Sequence, residues 1–238
     1  AYLARRGMDE IVINFGERFE ERLFVAPSHR GLSSIAQRLE SEVQELLARE
    51  GKSALDADEI RDEQRRRLRM SIEAIKGKVD VVLIDTPPDL GFVMTTALMA
   101  ADYYLIPVFP SGYDLKGLET LLGTADRVRK RFNPELELMG VVLGNVDSQA
   151  RLDADIRQML QGKFGADRVF QTSINRGVKH REAPVYGRVI FEHAPGTSAA
   201  QQFAALARET AAWLERSHGT APVETETDAR TAQAVAHG

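Results

Sequence analysis

Asp85 closes the apolar run Val81-Val82-Leu83-Ile84 and is followed by Pro87, Pro88 and Gly91. A continuous β-branched run of this kind predicts a strand buried on both faces. The prolines stop it, because proline cannot donate to a ladder. A carboxylate at the carboxyl end of a buried parallel strand sits where open α/β sheets bind ligands. There it can hold a Mg²⁺ that bridges nucleotide phosphates. The plainer alternative is that Asp85 caps the next turn, and the double proline favours the ligand reading. Gly51, Lys52 and Ser53 form the only Gly-Lys-Ser in the chain. A phosphate-cradling loop needs another glycine where Leu46 stands, and a strand rather than a long helix before it, so the triplet predicts a helix stop. Arg61, Arg65, Arg66, Arg67 and Arg69 form a basic stretch, but Asp58, Glu59, Asp62 and Glu63 intersperse it. That pattern predicts a solvated, ion-paired helix face.

The elements that must position these groups follow from periodicity. Tyr2 to Arg6, before Gly7, predict a helix end; Ile11 to Phe15 fit a strand or a helical turn, and Leu23 to Ala26 a short strand. A helix from Ser34 buries Ile35, Leu39, Val43 and Leu46, with Gln37 placed for a capping box, and ends at Gly51. A second helix spans about Asp58 to Lys76, and Phe92 to Ala101 predict a third. Strands are predicted over Tyr103–Phe109, Leu138–Leu143 and Val169–Ile174, and helices over Leu115–Phe132 and Asp153–Phe164. A polar loop is expected from Asn175 to Gly196. A last helix, Ser198–Arg216, is expected to bury Phe203, Leu206, Trp213 and Leu214. Alternation of apolar strands with helices predicts an α/β fold: a mostly parallel sheet with helices on both faces. One domain over 1–216 is expected, followed by a disordered polar tail over 217–238.

The totals set limits. The chain has 238 residues, 43% hydrophobic and 28% charged, as ordinary globular chains have. Its net charge of −4 gives no global attraction to nucleic acid, so such binding needs a local patch. It has no cysteine, which excludes disulfides and thiolate metal sites and fits a reducing compartment. No apolar run is long enough to span a bilayer.

Three stretches together carry a resemblance: DVVLIDTPPDLG from Asp80, AADYYLIPVFPSGYDLKGL (Ala100 to Leu118) and INRGVKHREAPVYGR (Ile174 to Arg188). In this order they resemble the carboxyl-terminal three-quarters of the ParA/Soj family, deviant-Walker P-loop ATPases that partition plasmids and chromosomes. The first resembles the family's Walker B strand and switch loop. In the third, Arg176, Glu182, Ala183, Pro184 and Gly187 hold matching positions. Val25 to Leu32 is a weaker echo of a family strand ending in Pro-Ser.

The resemblance implies roles. Asp85 would be the catalytic aspartate and bind Mg²⁺ through a water. Asn145, Asn175 and Arg176 would line the adenine pocket, although many members have proline where Asn175 stands. Arg176, Lys179, Arg181 and Arg188 would contact phosphates in sequence-independent DNA binding; a solvated loop is the plainer account of that cluster. His180, with no second histidine or cysteine nearby, reads as a surface residue. ATP and Mg²⁺, a homodimer, non-specific DNA and a ParB-like centromere-binding partner are implied, in a cytoplasmic, nucleoid-associated protein. The acidic end (Glu224, Glu226, Asp228) disfavours a MinD-like membrane role. The family's glycine-lysine phosphate loop has no counterpart here. The expectation is therefore an ATPase domain incomplete at its amino terminus and inactive as it stands. The alternative is a non-enzymatic DNA- or protein-binding module on a degenerate ATPase fold.

Overall fold

The computed structural model describes residues 12–28, 34–51, 53–88, 90–110, 114–147 and 151–218. The helix end expected over Tyr2–Arg6, the tail beyond His218, and residues 29–32, 89 and 111–113 of the quoted motifs lie outside them. The chain divides into two compact units, Ala1–Tyr104 with Leu115–Leu138, and Leu105–Asp114 with Met139–Gly238.

In the first unit, β1 (Ile13–Asn14) and β2 (Phe24–Val25) form an antiparallel pair, Ile13 opposite Val25. Helix α1 (Ile35–Glu50) buries Ile35, Leu39 and Val43 on one stripe. It ends at Gly51, whose φ of +63° and amide bond to the Leu47 carbonyl make a left-handed cap. Ser34 makes no side-chain cap bond, so the expected Ser34–Gln37 box does not form. The box forms instead at Ser53, whose amide and hydroxyl both donate to Asp56 Oδ2, at 2.6 and 2.8 Å. This starts α2 (Ala54–Glu73) four residues before the expected point. Gly51 thus stops one helix, as expected of the Gly-Lys-Ser triplet, and Ser53 starts the next, which was not expected; Lys52 lies outside the described residues.

The arginine face of α2 is ion-paired as expected. Arg61 donates to Glu40 at 2.7 Å and to Asp58 at 3.1 Å, Arg65 to Asp62 at 2.8 Å, and Arg67 to Glu42 at 3.4 Å. Helices α3 (Phe92–Ala100) and α4 (Asp114–Arg131) share a core of Leu98, Met99, Ala125, Val128 and Leu136. Buried Asn133 closes α3: its Nδ2 donates to the carbonyls of Leu98 at 3.1 Å and Ala101 at 2.7 Å.

One expectation fails here. Val81 to Ile84 form no strand, and Val81, Val82 and Leu83 are exposed. A β-branched run becomes a buried strand only where a neighbour supplies ladder bonds and a packed face. Among the described residues this run has no ladder partner; only an isolated bridge, Lys76 to Val79, lies close in sequence.

The second unit holds β5 and all but the first two residues of β3 and β4, in the strand order β3 (Tyr103–Val108), β4 (Glu137–Val146), β5 (Val169–Asn175), with β4 and β5 parallel and Val141 opposite Val169. Val141, Val142, Leu143, Val169 and Phe170 are buried. Helices α5 (Arg151–Phe164) and α8 (Ser198–His218) both pack on β5. Glu209 of α8 accepts the amides of Gln171 at 2.7 Å and Thr172 at 2.9 Å, and Gln202 accepts the Asn175 amide at 3.0 Å. Side chains of α8 thus satisfy amides of β5 that ladder bonds leave over. The expected loop from Asn175 to Gly196 instead contains two short helices, α6 (Lys179–Val185) and α7 (Ile190–His193). Buried Ala183 and the Lys179–Glu182 pair hold α6 despite Pro184. The fold is α/β with a parallel sheet, as expected.

Candidate functional site

At the carboxyl ends of β4 and β5 the backbone turns sharply. Asn145 adopts φ +54°, a left-handed conformation that asparagine tolerates, and Arg176 donates its amide to the Val146 carbonyl at 2.8 Å. These bends open a cleft of about 590 Å³ lined by Asn145, Asn175, Arg176, His180, Arg181 and Phe203, among others. Arg176 Nε points at Asn145 Oδ1, 3.4 Å away. The structure therefore brings Asn145, Asn175 and Arg176 together from positions 30 apart in sequence, at the end of the sheet where α/β folds take ligands.

Two cleft residues were not legible as such. His180 is part-buried rather than a simple surface residue. Its Nε2 lies 3.1 Å from the Asn175 carbonyl, and its ring meets Phe203 edge-on at 5.5 Å. Phe203 was expected in the core; its ring is instead partly exposed at the cleft wall. A helical apolar stripe cannot distinguish a core phenylalanine from one at a cleft edge. A histidine five residues after an asparagine matches no motif either.

The four cations expected to meet phosphate divide. Arg176 and Arg181 line the cleft, whereas Lys179 is tied to Glu182 at 2.8 Å. Arg188 follows α6 on the exposed surface. Glu182 also meets His193 Nε2 at 3.1 Å, and these two contacts, Lys179 first, hold its carboxyl below the usual carboxylate range. Asp85 belongs to the first unit and is exposed in the irregular segment after Ile84.

The cleft pairs side-chain amides with an aromatic ring, chemistry that can take a planar polar ring. Asp85, taken by itself in the first unit, is an exposed carboxylate of the kind Mg²⁺ accepts alongside water and phosphate oxygens. Among the described residues no group of three acidic or histidine side chains forms a metal cage. Nor does any helix among them have the length and apolarity to cross a membrane.

Comparison with known proteins bears on the family and the fold. The chain is 37% identical over 146 residues to sporulation initiation inhibitor protein Soj of Bacillus subtilis, covering 61% of this chain and 57% of that protein. It is also 37% identical over 136 residues to chromosome-partitioning ATPase Soj of Thermus thermophilus, covering 57% and 54%. An AAA domain family model, AAA_31, matches residues 5–138, more than half of the chain. The chain belongs to this AAA domain family and is a ParA-type member of it. It spans little more than half the length of these ParA-type relatives. In fold it is similar to an ATP complex of a McdA variant from Cyanothece, with a TM-score of 0.67 at 18% identity over 94% of this chain and 75% of that one. Cobyrinic acid a,c-diamide synthase of Mycobacterium smegmatis with an ATP analogue and magnesium gives a TM-score of 0.56 at 20% identity, over 74% and 62%. These likenesses establish a P-loop NTPase-like fold for the ParA-type chain.

Proposed function

We infer that this chain is the greater part of a DNA-partition ATPase. The observation that carries the reading is the convergence of Asn145, Asn175 and Arg176 on one cleft at the carboxyl ends of parallel strands, in a chain of ParA-type ancestry. In the whole protein, ATP binds with its base in this cleft. Asp85 would hold Mg²⁺, which would supply neutralisation of developing charge on the phosphates. ATP binding favours a homodimer that holds DNA without sequence preference, and a ParB-like partner stimulates hydrolysis. Arg176, Arg181 and Arg188 supply phosphate contacts. The setting is cytoplasmic, on the nucleoid.

The chain's own residues divide the work. Asn145 and Asn175 offer amides to a base edge, Phe203 a ring face, and Arg176 a charge held in place by its backbone bond to Val146. The sequence carries no loop with the spacing of a glycine-lysine phosphate cradle, so residues 1–238 alone should bind Mg²⁺–ATP weakly, in about the millimolar range, and hydrolyse none. Titration with Mg²⁺–ATP followed by nuclear magnetic resonance tests this. Side-chain signals of Asn145, Asn175 and Phe203 should move together and respond less to GTP. Perturbation elsewhere with a silent cleft would remove the base assignment. Micromolar, Mg²⁺-dependent affinity would remove the claim of inactivity. In the whole protein, Asp85→Ala should slow phosphate release by about 100-fold or more. For the DNA surface, Arg176→Ala and Arg188→Ala should each weaken binding to any duplex and flatten the salt dependence by about one unit.

A further inference from the structure

Glu182 lies one helical turn after Lys179 and is the hub of α6 and α7. Its Oε2 accepts from Lys179 Nζ at 2.8 Å and meets His193 Nε2 at 3.1 Å. The two partners differ in freedom. His193 is largely buried and stacks on Tyr186, with centroids 5.2 Å apart and 15° between the planes, whereas the Lys179 side chain is half-exposed. The carboxylate is therefore anchored from the α7 side and tethers a movable ammonium on the other. Arg176 and Arg188 flank this pair in sequence and Arg181 lies within it, and among the described residues no carboxylate forms an ion pair with any of the three. Of the four cations in the segment, Lys179 alone is neutralised from within.

A carboxylate oxygen at hydrogen-bond distance from an ammonium occupies the place that a phosphate oxygen would take. We propose that Glu182 is a resident stand-in for phosphate: it holds Lys179 in reserve and must be exchanged for a phosphate oxygen when a polyanion binds. This rests on the reading of the neighbouring cations as phosphate contacts. Exposed ion pairs are individually weak, and the charge density of a duplex is high, so the exchange is within reach. The clasp with His193 keeps Glu182 from withdrawing once Lys179 has left. A fixed negative charge then remains beside the bound strand and limits its affinity.

The test uses the whole protein with Mg²⁺–ATP and a fluorescent mixed-sequence duplex, with anisotropy measured over a series of salt concentrations. Glu182→Gln keeps an oxygen for His193 but removes the charge. It should tighten binding about threefold to tenfold at low salt and steepen the salt slope by about one unit. Adding Lys179→Ala to that variant should cancel both gains, whereas Lys179→Ala alone should weaken binding and flatten the salt slope by about one unit. Carbon-13 titration of the Glu182 carboxyl reads the ion pair without DNA. The carboxyl should titrate below the ordinary range and move up in Lys179→Ala. If it titrates normally and ignores Lys179→Ala, the proposal falls while the phosphate contacts stand. A duplex-binding wild type with an unchanged Glu182→Gln variant has the same consequence. If the carboxyl is depressed but no variant binds duplex, the phosphate reading fails and takes the proposal with it.

Discussion

The tripeptide Val-Val-Leu occurs twice, at 81–83 and at 141–143. In the first copy the three side chains are 56%, 41% and 89% exposed; in the second they are 0%, 5% and 1% exposed. The local sequence is the same, so local propensity cannot explain the difference. The second copy lies in β4, with β5 registered against it and Val169 and Phe170 buried beside it. The first copy has no ladder partner among the described residues. A strand is a property of a pair, and β propensity expresses how well a residue fits a pleated, half-buried surface that must already exist. The run before Asp85 is thus competent to be a strand and lacks the neighbour that would make it one. An unpaired, exposed β-branched run is also the kind of segment that recruits another strand.

The largest expected effect tests this contrast directly. Leu143→Ala should destabilise the protein by about 2–5 kcal/mol, because it removes buried methyl groups and leaves a cavity. Leu83→Ala should fall within about 0.5 kcal/mol of wild type, since the side chain is already in water. Urea midpoints of the two variants give the comparison. If Leu83→Ala proved as damaging as Leu143→Ala, the exposed run would have a packed partner in solution.

A second contrast lies within β4. A Cβ added at Gly140 would stand 2.7 Å from the Arg168 carbonyl and 2.8 Å from the Phe170 ring, both fixed by the fold. One added at Gly144 would stand 2.8 Å from the edge of Phe109, a half-exposed ring with room to swing. Gly140→Ala should therefore cost about 1–3 kcal/mol and Gly144→Ala less than about 1. Equal losses in thermal denaturation would mean that Phe109 is held in place. Glu209→Ala should come next, at about 1–2 kcal/mol, because the amides of Gln171 and Thr172 lose their acceptor.

Much of the fold was legible in the sequence, for identifiable reasons. The helices and the strands β3 to β5 announce themselves by period, and their ends by Gly51, Asn133-Pro134 and Gly165. The ion pairing of α2 was legible because opposite charges three and four residues apart share a face. What escaped depends on contacts distant in sequence. The role of Asn133 in closing α3 requires that residues 98–101 fold back on it, which its own neighbours do not encode. Helices α6 and α7 are too short to show a period, and Pro184 argues against the first of them. At the candidate site, Asn145, Asn175 and Arg176 were named through family resemblance, whereas His180 and Phe203 emerged only from the geometry of the cleft.

The smallest contrast is electrostatic and separates the two units by their response to acid. In the first unit Arg61 donates to Glu40 and, with Gln44, holds its carboxyl down to about 2. In the second, Lys179 and His193 lower the Glu182 carboxyl. A carboxyl whose folded value lies below its unfolded value contributes stability that is fully present above the unfolded value. That contribution is lost as pH falls towards the folded one. For Glu40 the window therefore runs from the ordinary value of 4.5 down to about 2. Its side chain is 47% exposed, so solvent screens the pair and the contribution is at most about 1 kcal/mol. Urea midpoints at about pH 6 and about pH 2 should show wild type losing stability on acidification. Glu40→Gln, which has no charge to lose there, should be less stable at the higher pH and close to wild type at the lower. Raising the salt should narrow the gap at the higher pH, because exposed pairs are screened. An acid response identical in the two proteins would mean that the α1–α2 contact stands on Leu39, Val43 and Gln64 alone, with its arginine face contributing charge but no stability.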